Sequence, residues 1–231
     1  MMKYKNIKKA VFLSRPNRFI AHVLLEGKEE VVHVKNTGRC KEILIEGVPV
    51  ILEKATNPHR KTKYSLVGAY KDHKFLINID SQITNYVVYE AICNNQVEEL
   101  INLDYLKKEV KSGNSRFDLY YEKGDKKGFI EVKSVTLEEN GGCKFPDAPT
   151  QRGRKHIYEL IELQRKGYEN YIFFLIQIEN MKTFTANGRT DPKFEEVLRV
   201  AKEKGIRILA YDCYVKEDEL TIKNKVSVEI K

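Results

Sequence analysis

Six short segments rich in β-branched and aromatic residues fill the first 80 positions of this chain, at 9–15, 18–26, 29–34, 48–55, 64–70 and 74–80. Each ends at a turn signal, such as Arg15-Pro16-Asn17, Glu26-Gly27-Lys28, Asn57-Pro58 or Lys71-Asp72-His73. No stretch among them sustains a helical period. Five or six strands in about 80 residues predict a small closed barrel, and an OB-like barrel is the leading choice because it is small and commonly binds single strands. Tyr64, Tyr70 and Phe75 could form a stacking platform, but aromatics in small barrels are more often core.

The texture changes near residue 80. The periods predict helices over 83–95, 150–166 and 191–204, and strands over 116–122, 128–137, 171–178, 206–211 and 220–230. Thr150 and Asp191 are the expected helix caps, with Pro192 at a first helical position. Strands alternating with helices imply an α/β domain with a mixed sheet. The predicted fold class is therefore α+β in two domains, a barrel over 1–81 and an α/β domain over 82–231.

Charge divides the chain at the same place. Residues 1–80 carry 16 Lys and Arg against 8 Asp and Glu, whereas residues 81–231 carry 25 of each, so the whole excess of +8 sits in the first third. A cationic unit joined to a neutral one suggests a polyanion-binding part beside a part with another task; the alternative is a surface made basic for solubility. The longest apolar run, 171–178, is about half of the ~20 residues a membrane helix needs. The chain reads as neither exported nor membrane-inserted. Cys40, Cys93, Cys143 and Cys213 lack metal-ligand spacing and read as ordinary thiols.

The chemistry concentrates between Asp118 and Lys133. Gly124-Asp125 suits a two-residue type II′ hairpin loop. That loop sets Asp118 opposite Glu131 and Arg116 opposite Lys133, with Glu131 and Lys133 on one face. Opposed carboxylates destabilise a strand pair unless a cation reverses the sign. The alternative is an exposed hairpin of mixed charges. Three features favour a site. Glu131 and Lys133 are embedded in the apolar run Phe129-Ile130-Glu131-Val132-Lys133-Ser134-Val135, Asp118 is flanked by Phe117 and Leu119, and Glu90 falls late in the preceding helix.

Asp118, twelve intervening residues and Glu131-Val132-Lys133 resemble the PD-(D/E)XK nuclease signature. The surrounding text is more specific. Arg15-Pro16-Asn17-Arg18-Phe19, Asn36-Thr37-Gly38-Arg39, Arg60-Lys61-Thr62, Ser115-Arg116-Phe117-Asp118, Glu131-Val132-Lys133-Ser134-Val135-Thr136-Leu137 and Phe145-Pro146-Asp147-Ala148-Pro149-Thr150 resemble the sugar fermentation stimulation protein A family. Arg152-Gly153 and Lys155-His156 extend the resemblance. It implies a cytoplasmic DNA-binding protein linked to the regulation of sugar metabolism, with an OB-like domain and a restriction-endonuclease-like domain.

The nuclease motif implies that Asp118, Glu131 and the carbonyl of Val132 bind Mg²⁺ or Mn²⁺. It implies that Lys133 orients water or stabilises developing charge, with Glu90 as a further acid. Asp147 reads either as a boundary of the cleft or as a turn residue beside two prolines. Arg152 and Lys155, early in their helix, are candidate phosphate contacts, and His156 is either a cleft residue or a surface histidine. In the barrel, Arg15, Arg18, Lys35, Arg39, Arg60 and Lys61, with Lys63, are expected to form a cationic rim, to which Asn36-Thr37-Gly38 adds donors or only a turn. Three functions are compatible with these residues: a metal-dependent nuclease on DNA, a DNA-binding regulator with an inactive nuclease-like domain, and an enzyme of sugar metabolism. The third lacks any phosphate-binding glycine loop.

Overall fold

The computed structural model describes residues 2–36 and 38–230. A two-residue strand, β1 (Met2–Lys3), precedes the barrel strands β2 (Ile7–Ser14), β3 (Ile20–Leu25), β4 (Lys28–Val34), β5 (Pro49–Lys54) and β6 (Tyr64–Lys71). These five pair in the order β4-β3-β2-β5-β6, and a parallel β4–β6 contact closes the ring at His33–Ser65 and Val34–Leu66. A further strand, β7 (Phe75–Asn78), extends it from β6. All six expected strands are present. Their inward positions, including Ala21, Val23, Val32, Val50, Leu52 and Leu66, are fully buried. Each of the valines and leucines among them contributes roughly 1.5–3 kcal/mol when removed from water.

The second unit begins with helix α1 (Thr84–Cys93) and the strands β8 (Tyr105–Ser112), β9 (Ser115–Lys123) and β10 (Lys126–Val135). Two short strands, β11 (Leu137–Glu139) and β12 (Gly142–Phe145), lead to helix α2 (Gln151–Arg165). There follow β13 (Tyr171–Ile176), β14 (Thr183–Ala186), helix α3 (Pro192–Glu203), β15 (Arg207–Val215), β16 (Glu219–Lys225) and β17 (Ser227–Glu229). Seven strands form a mixed sheet in the order β1-β16-β15-β13-β10-β9-β8, and β11-β12-β14-β17 form a smaller mixed one. The apolar side of α1 packs on one face of the large sheet through Val87, Val88, Ala91 and Ile92. On the other face lie Ile157, Leu160 and Ile161 of α2 and Phe194, Val197 and Leu198 of α3, in one core continuous with the barrel interior. Covered on both sides, β13 is apolar and buried throughout, as a central parallel strand must be.

The expected caps are made: Thr150 Oγ1 accepts from Gly153 N at 3.1 Å and Asp191 Oδ1 from Phe194 N at 3.0 Å. Two readings change. The strand expected over 220–230 is two strands. β16 pairs with β15, and β17 crosses to the small sheet to run parallel to β14. Alternation alone does not say which sheet a strand joins. The chain's first strand also lies outside the barrel, because β1 pairs with β16 at the edge of the large sheet. Among the described residues no helix is long and apolar enough to cross a membrane.

The two units are joined by buried polar contacts. Gln177, just after β13, donates to Asn78 Oδ1 at 2.6 Å and to the Asp80 carbonyl at 3.1 Å, and accepts from Ser134 Oγ. Asn78 in turn donates to Tyr4 at 2.9 Å. Lys71 of the barrel pairs with Glu138 of β11, both nearly buried. Satisfied networks of this kind fix one relative placement, since any other packing of the two units would leave these groups buried without partners.

Candidate functional site

The hairpin β9–β10 turns at Gly124-Asp125, and Gly124 adopts a φ of +56°, which a type II′ turn requires at that place. Pairing runs from Lys123–Lys126 to Leu119–Ile130 in the expected register, then stops one step before Asp118 and Glu131. On its other side the β8–β9 ladder also skips Asp118. Its partner there would be Glu109, which sits in the left-handed region at φ +56°. The pairing of β9 is therefore interrupted at Asp118 on both edges. There Asp118 Oδ2 accepts from Val132 N at 2.8 Å, and Oδ1 accepts from Asn85 Nδ2 of α1 at 2.7 Å. These bonds fix the carboxylate between β10 and α1.

Glu131 is buried, with 2% of its surface exposed. Its Oε1 receives Lys133 Nζ and faces His156 Nδ1 of α2 at 2.6 Å. The imidazole is held in turn by an edge contact with Phe117, centroids 5.9 Å apart. The other carboxylate oxygen, Oε2, is buried and has no hydrogen-bond partner. Burial alone would raise the Glu131 pKa, but the Lys133 charge and the His156 hydrogen bond hold it below the ordinary carboxylate range. Asp118 goes the other way. Burial pushes it up to about 6, and the Glu131 charge adds to the rise against Lys133, the Val132 N–H and Asn85. One carboxylate is thus ionised with an orphaned oxygen, and its neighbour resists ionisation through its own burial and, next, through that charge. A divalent cation has the charge both lack. Asp118 and Glu131 with a backbone carbonyl such as that of Val132 match the oxygen donors a hard cation takes. No complete cage of three or more His, Cys, Asp or Glu side chains occurs among the described residues, so water or substrate oxygens would complete the shell.

These groups lie in a cleft of about 1440 Å³ between the two units. The α/β unit contributes Thr84, Asn85, Asp118, Glu131, Lys133, Lys144, the loop from Phe145 to Thr150, Arg152 and His156; the barrel contributes Arg15, Asn17, Arg18, Asn36, Gly38, Arg39 and Lys41. The lining holds seven Lys and Arg against three Asp and Glu, so the cleft favours an anion. The walls touch where Arg39 N donates to Asp147 Oδ2 at 2.8 Å. Gly38 is needed for that approach, because a Cβ there would stand 2.3 Å from the same oxygen. Asp147 is therefore a cleft residue with a defined bond.

Several expected rim residues do other work. Arg15 gives its guanidinium to four carbonyls, those of Arg18, Asn36, Gly38 and Arg39, at 2.7–2.9 Å, and so ties two barrel loops together. Asn36 is buried, and its Oδ1 accepts from Gly38 N at 2.8 Å, a turn role; Thr37 lies outside the described residues. Lys35 faces inward to Asp80 at 2.9 Å and Glu53 at 3.4 Å, because the buried Asp80 carboxylate needs a counter-charge. Arg60 bonds to Ser65 and Thr62, and neither it nor Lys61 or Lys63 lines the cleft. Lys155 is exposed and pairs with Glu159 at 3.7 Å, outside the cleft. Glu90 does not line it either. At about 100° per residue it is turned roughly 140° around α1 from Asn85, the residue that reaches Asp118. His156 is no surface residue; it is buried against Glu131. Arg18, Arg39 and Arg152 remain as exposed cations at the cleft. Asn85, Lys41 and Lys144 are additions that sequence reasoning missed. Only the position of Asn85 in the first turn of α1, four residues after the barrel, hinted at it.

The profile of the sugar fermentation stimulation protein RE domain matches residues 82–219, and that of the SfsA N-terminal OB domain matches residues 13–79. A sugar fermentation stimulation protein homolog of Clostridium perfringens strain SM101 is 54% identical over 229 residues, covering 98% of this chain and 99% of the relative. One from Alkaliphilus oremlandii is 49% identical over 233 residues, covering 99% of each. Among solved structures, that of Pyrococcus furiosus SfsA in complex with Ca²⁺ superposes with a TM-score of 0.91 at 31% identity, over 99% of this chain and 98% of that one. The chain belongs to the sugar fermentation stimulation protein family, and its OB domain followed by a mixed α/β domain is that family's architecture.

Proposed function

We propose that this member of the family binds DNA in the cleft between its two domains and hydrolyses phosphodiester bonds there with a divalent cation. The observation that carries the reading is the pair at the cleft floor: a buried Glu131 with one orphaned oxygen beside an Asp118 whose ionisation it opposes. The Ca²⁺ complex of the Pyrococcus furiosus relative supports a hard cation in this fold. Asp118, Glu131 and the Val132 carbonyl would hold Mg²⁺ or Mn²⁺, which when bound neutralises phosphate charge and acidifies water. Asn85 and the Val132 N–H orient Asp118, and His156 orients Glu131. With the cation present, the Lys133 ammonium has less need of Glu131 and becomes available to charge that develops on the phosphoryl oxygens. Arg18, Arg39 and Arg152 hold the backbone on either side through many weak phosphate contacts.

The decisive experiment pairs cation calorimetry with cleavage of single-stranded, duplex and branched DNA in Mg²⁺ or Mn²⁺. Wild type is expected to bind the cation and cut; Asp118→Ala is expected to bind it at least about tenfold more weakly and to lose cleavage by roughly 10³-fold. A wild type that binds DNA but cuts nothing in any metal would make the domain a non-catalytic binding unit.

A further inference from the structure

The turn Arg15-Pro16-Asn17-Arg18-Phe19 has given the cleft its cations but leaves its aromatic residue without a role. Phe19 is 50% exposed. Isolated exposed apolar residues are ordinary, and exposure alone says little. Here the ring stands on a fixed turn. Asn17 Oδ1 accepts from Phe19 N at 2.9 Å and from Ile20 N at 3.1 Å, Val34 N donates to the Phe19 carbonyl at 2.8 Å, and Arg15 holds the Arg18 carbonyl at 2.9 Å. The Arg18 guanidinium lies over the ring, 5.8 Å from its centroid. Arg15, Asn17 and Arg18 of the same turn line the cleft, and Phe19 follows them directly in the chain, outside the lining itself. A half-exposed ring on a fixed turn, with a cation over one side and next to residues that line an anion-binding cleft, is the combination that stacks a nucleobase next to its phosphate.

The paired bases inside a duplex have both faces covered by their neighbours and can offer Phe19 nothing. An unpaired base has a face free. We infer that the cleft takes nucleic acid with unpaired nucleotides, a single strand or an overhang, and that Phe19 is the residue that stacks on one of its bases. The inference rests on the DNA-binding reading above and deepens it by naming the substrate class.

The chain contains no tryptophan, so Phe19→Trp installs a single indole on this turn. The experiment titrates this variant, in chelator so that nothing is cut, with a short single strand, the blunt duplex of the same sequence, and that duplex carrying an overhang. The indole emission is expected to be quenched by the single strand and the overhang and to stay constant with the blunt duplex. In parallel, Phe19→Ala is expected to weaken single-strand binding about five- to a hundredfold while blunt-duplex affinity stays within about twofold. Bound single strand with no change in emission, or equal losses for both DNA forms in Phe19→Ala, overturns the inference and leaves the DNA-binding reading standing. A wild type that binds no DNA of any form overturns both.

Discussion

The two walls of the cleft are built on opposite plans. On the α/β side the central carboxylates are withdrawn from solvent and held by named partners: Glu131 by Lys133 and His156, Asp118 by Asn85 and the Val132 N–H. On the barrel side the cations stand in turns and loops, and Arg18, Arg39 and Lys41 are exposed to solvent. Burial makes the first set expensive to leave unpaired and strongly interacting, which suits chemistry at one atom. Exposure makes the second set cheap, additive and tolerant, which suits attraction spread over many phosphates. Arg15 shows the boundary between the plans. It is as cationic as its neighbours, yet its guanidinium is used up on four carbonyls that shape the loops they stand on.

The comparison breaks most sharply at Lys133. Lys133→Ala is expected to lower single-turnover cleavage by about 10²–10³-fold while DNA affinity, measured at the same salt, stays within about threefold. Losing both together would make this lysine a ground-state phosphate contact and would erase the division between the walls. Neutralising Arg18, Arg39 and Arg152 together should do the reverse. Affinity is expected to drop about tenfold or more, and the slope of log affinity against log salt should flatten by roughly 2–3, at about 0.7–0.9 per lost phosphate contact. The rate of the bound complex should change far less.

A pH series sharpens the same contrast. Asp118 titrates at about 6, above its ordinary 3.8. A cation binds the ionised carboxylate, so its affinity should be level above about pH 6 and fall up to about tenfold per unit below it. With a raised pKa in the folded state, Asp118 favours folding below about pH 4. That contribution is lost as pH rises from about 4 to 6, so Asp118→Asn, which cannot ionise, should gain stability relative to the cation-free wild type across that window, and added Mg²⁺ should restore the wild type. DNA attraction by the guanidinium groups should show no such step, since arginine stays charged throughout. The smallest effect is expected at Glu90. Glu90→Gln should leave cleavage within about twofold, because Asn85 and not Glu90 faces Asp118. A hundredfold loss there would return Glu90 to the site.

Much of this was legible in the chain itself. Runs of β-branched and aromatic residues bounded by turn chemistry marked the six barrel strands, and 3.6-residue periodicity with caps at Thr150 and Asp191 marked α2 and α3. The two-residue loop at Gly124-Asp125 set the register that carries Asp118 toward Glu131. All these signals are local, and local geometry is what a sequence encodes directly. The short strands β8, β11, β12 and β14 escaped because their residues are polar or few and their stability comes from partners distant in the chain.

The tertiary structure alone decided which charges meet. Nothing local distinguishes Lys35, folded inward onto Asp80, from Arg39, whose backbone reaches Asp147 108 residues away. Nothing local marks His156 as the partner of Glu131, or Asn85 rather than Glu90 as the partner of Asp118. A lysine or histidine reads the same in sequence whether it is solvated or buried. The outcome depends on which other charged group the packing of two domains leaves without water, and that is a property of the whole fold.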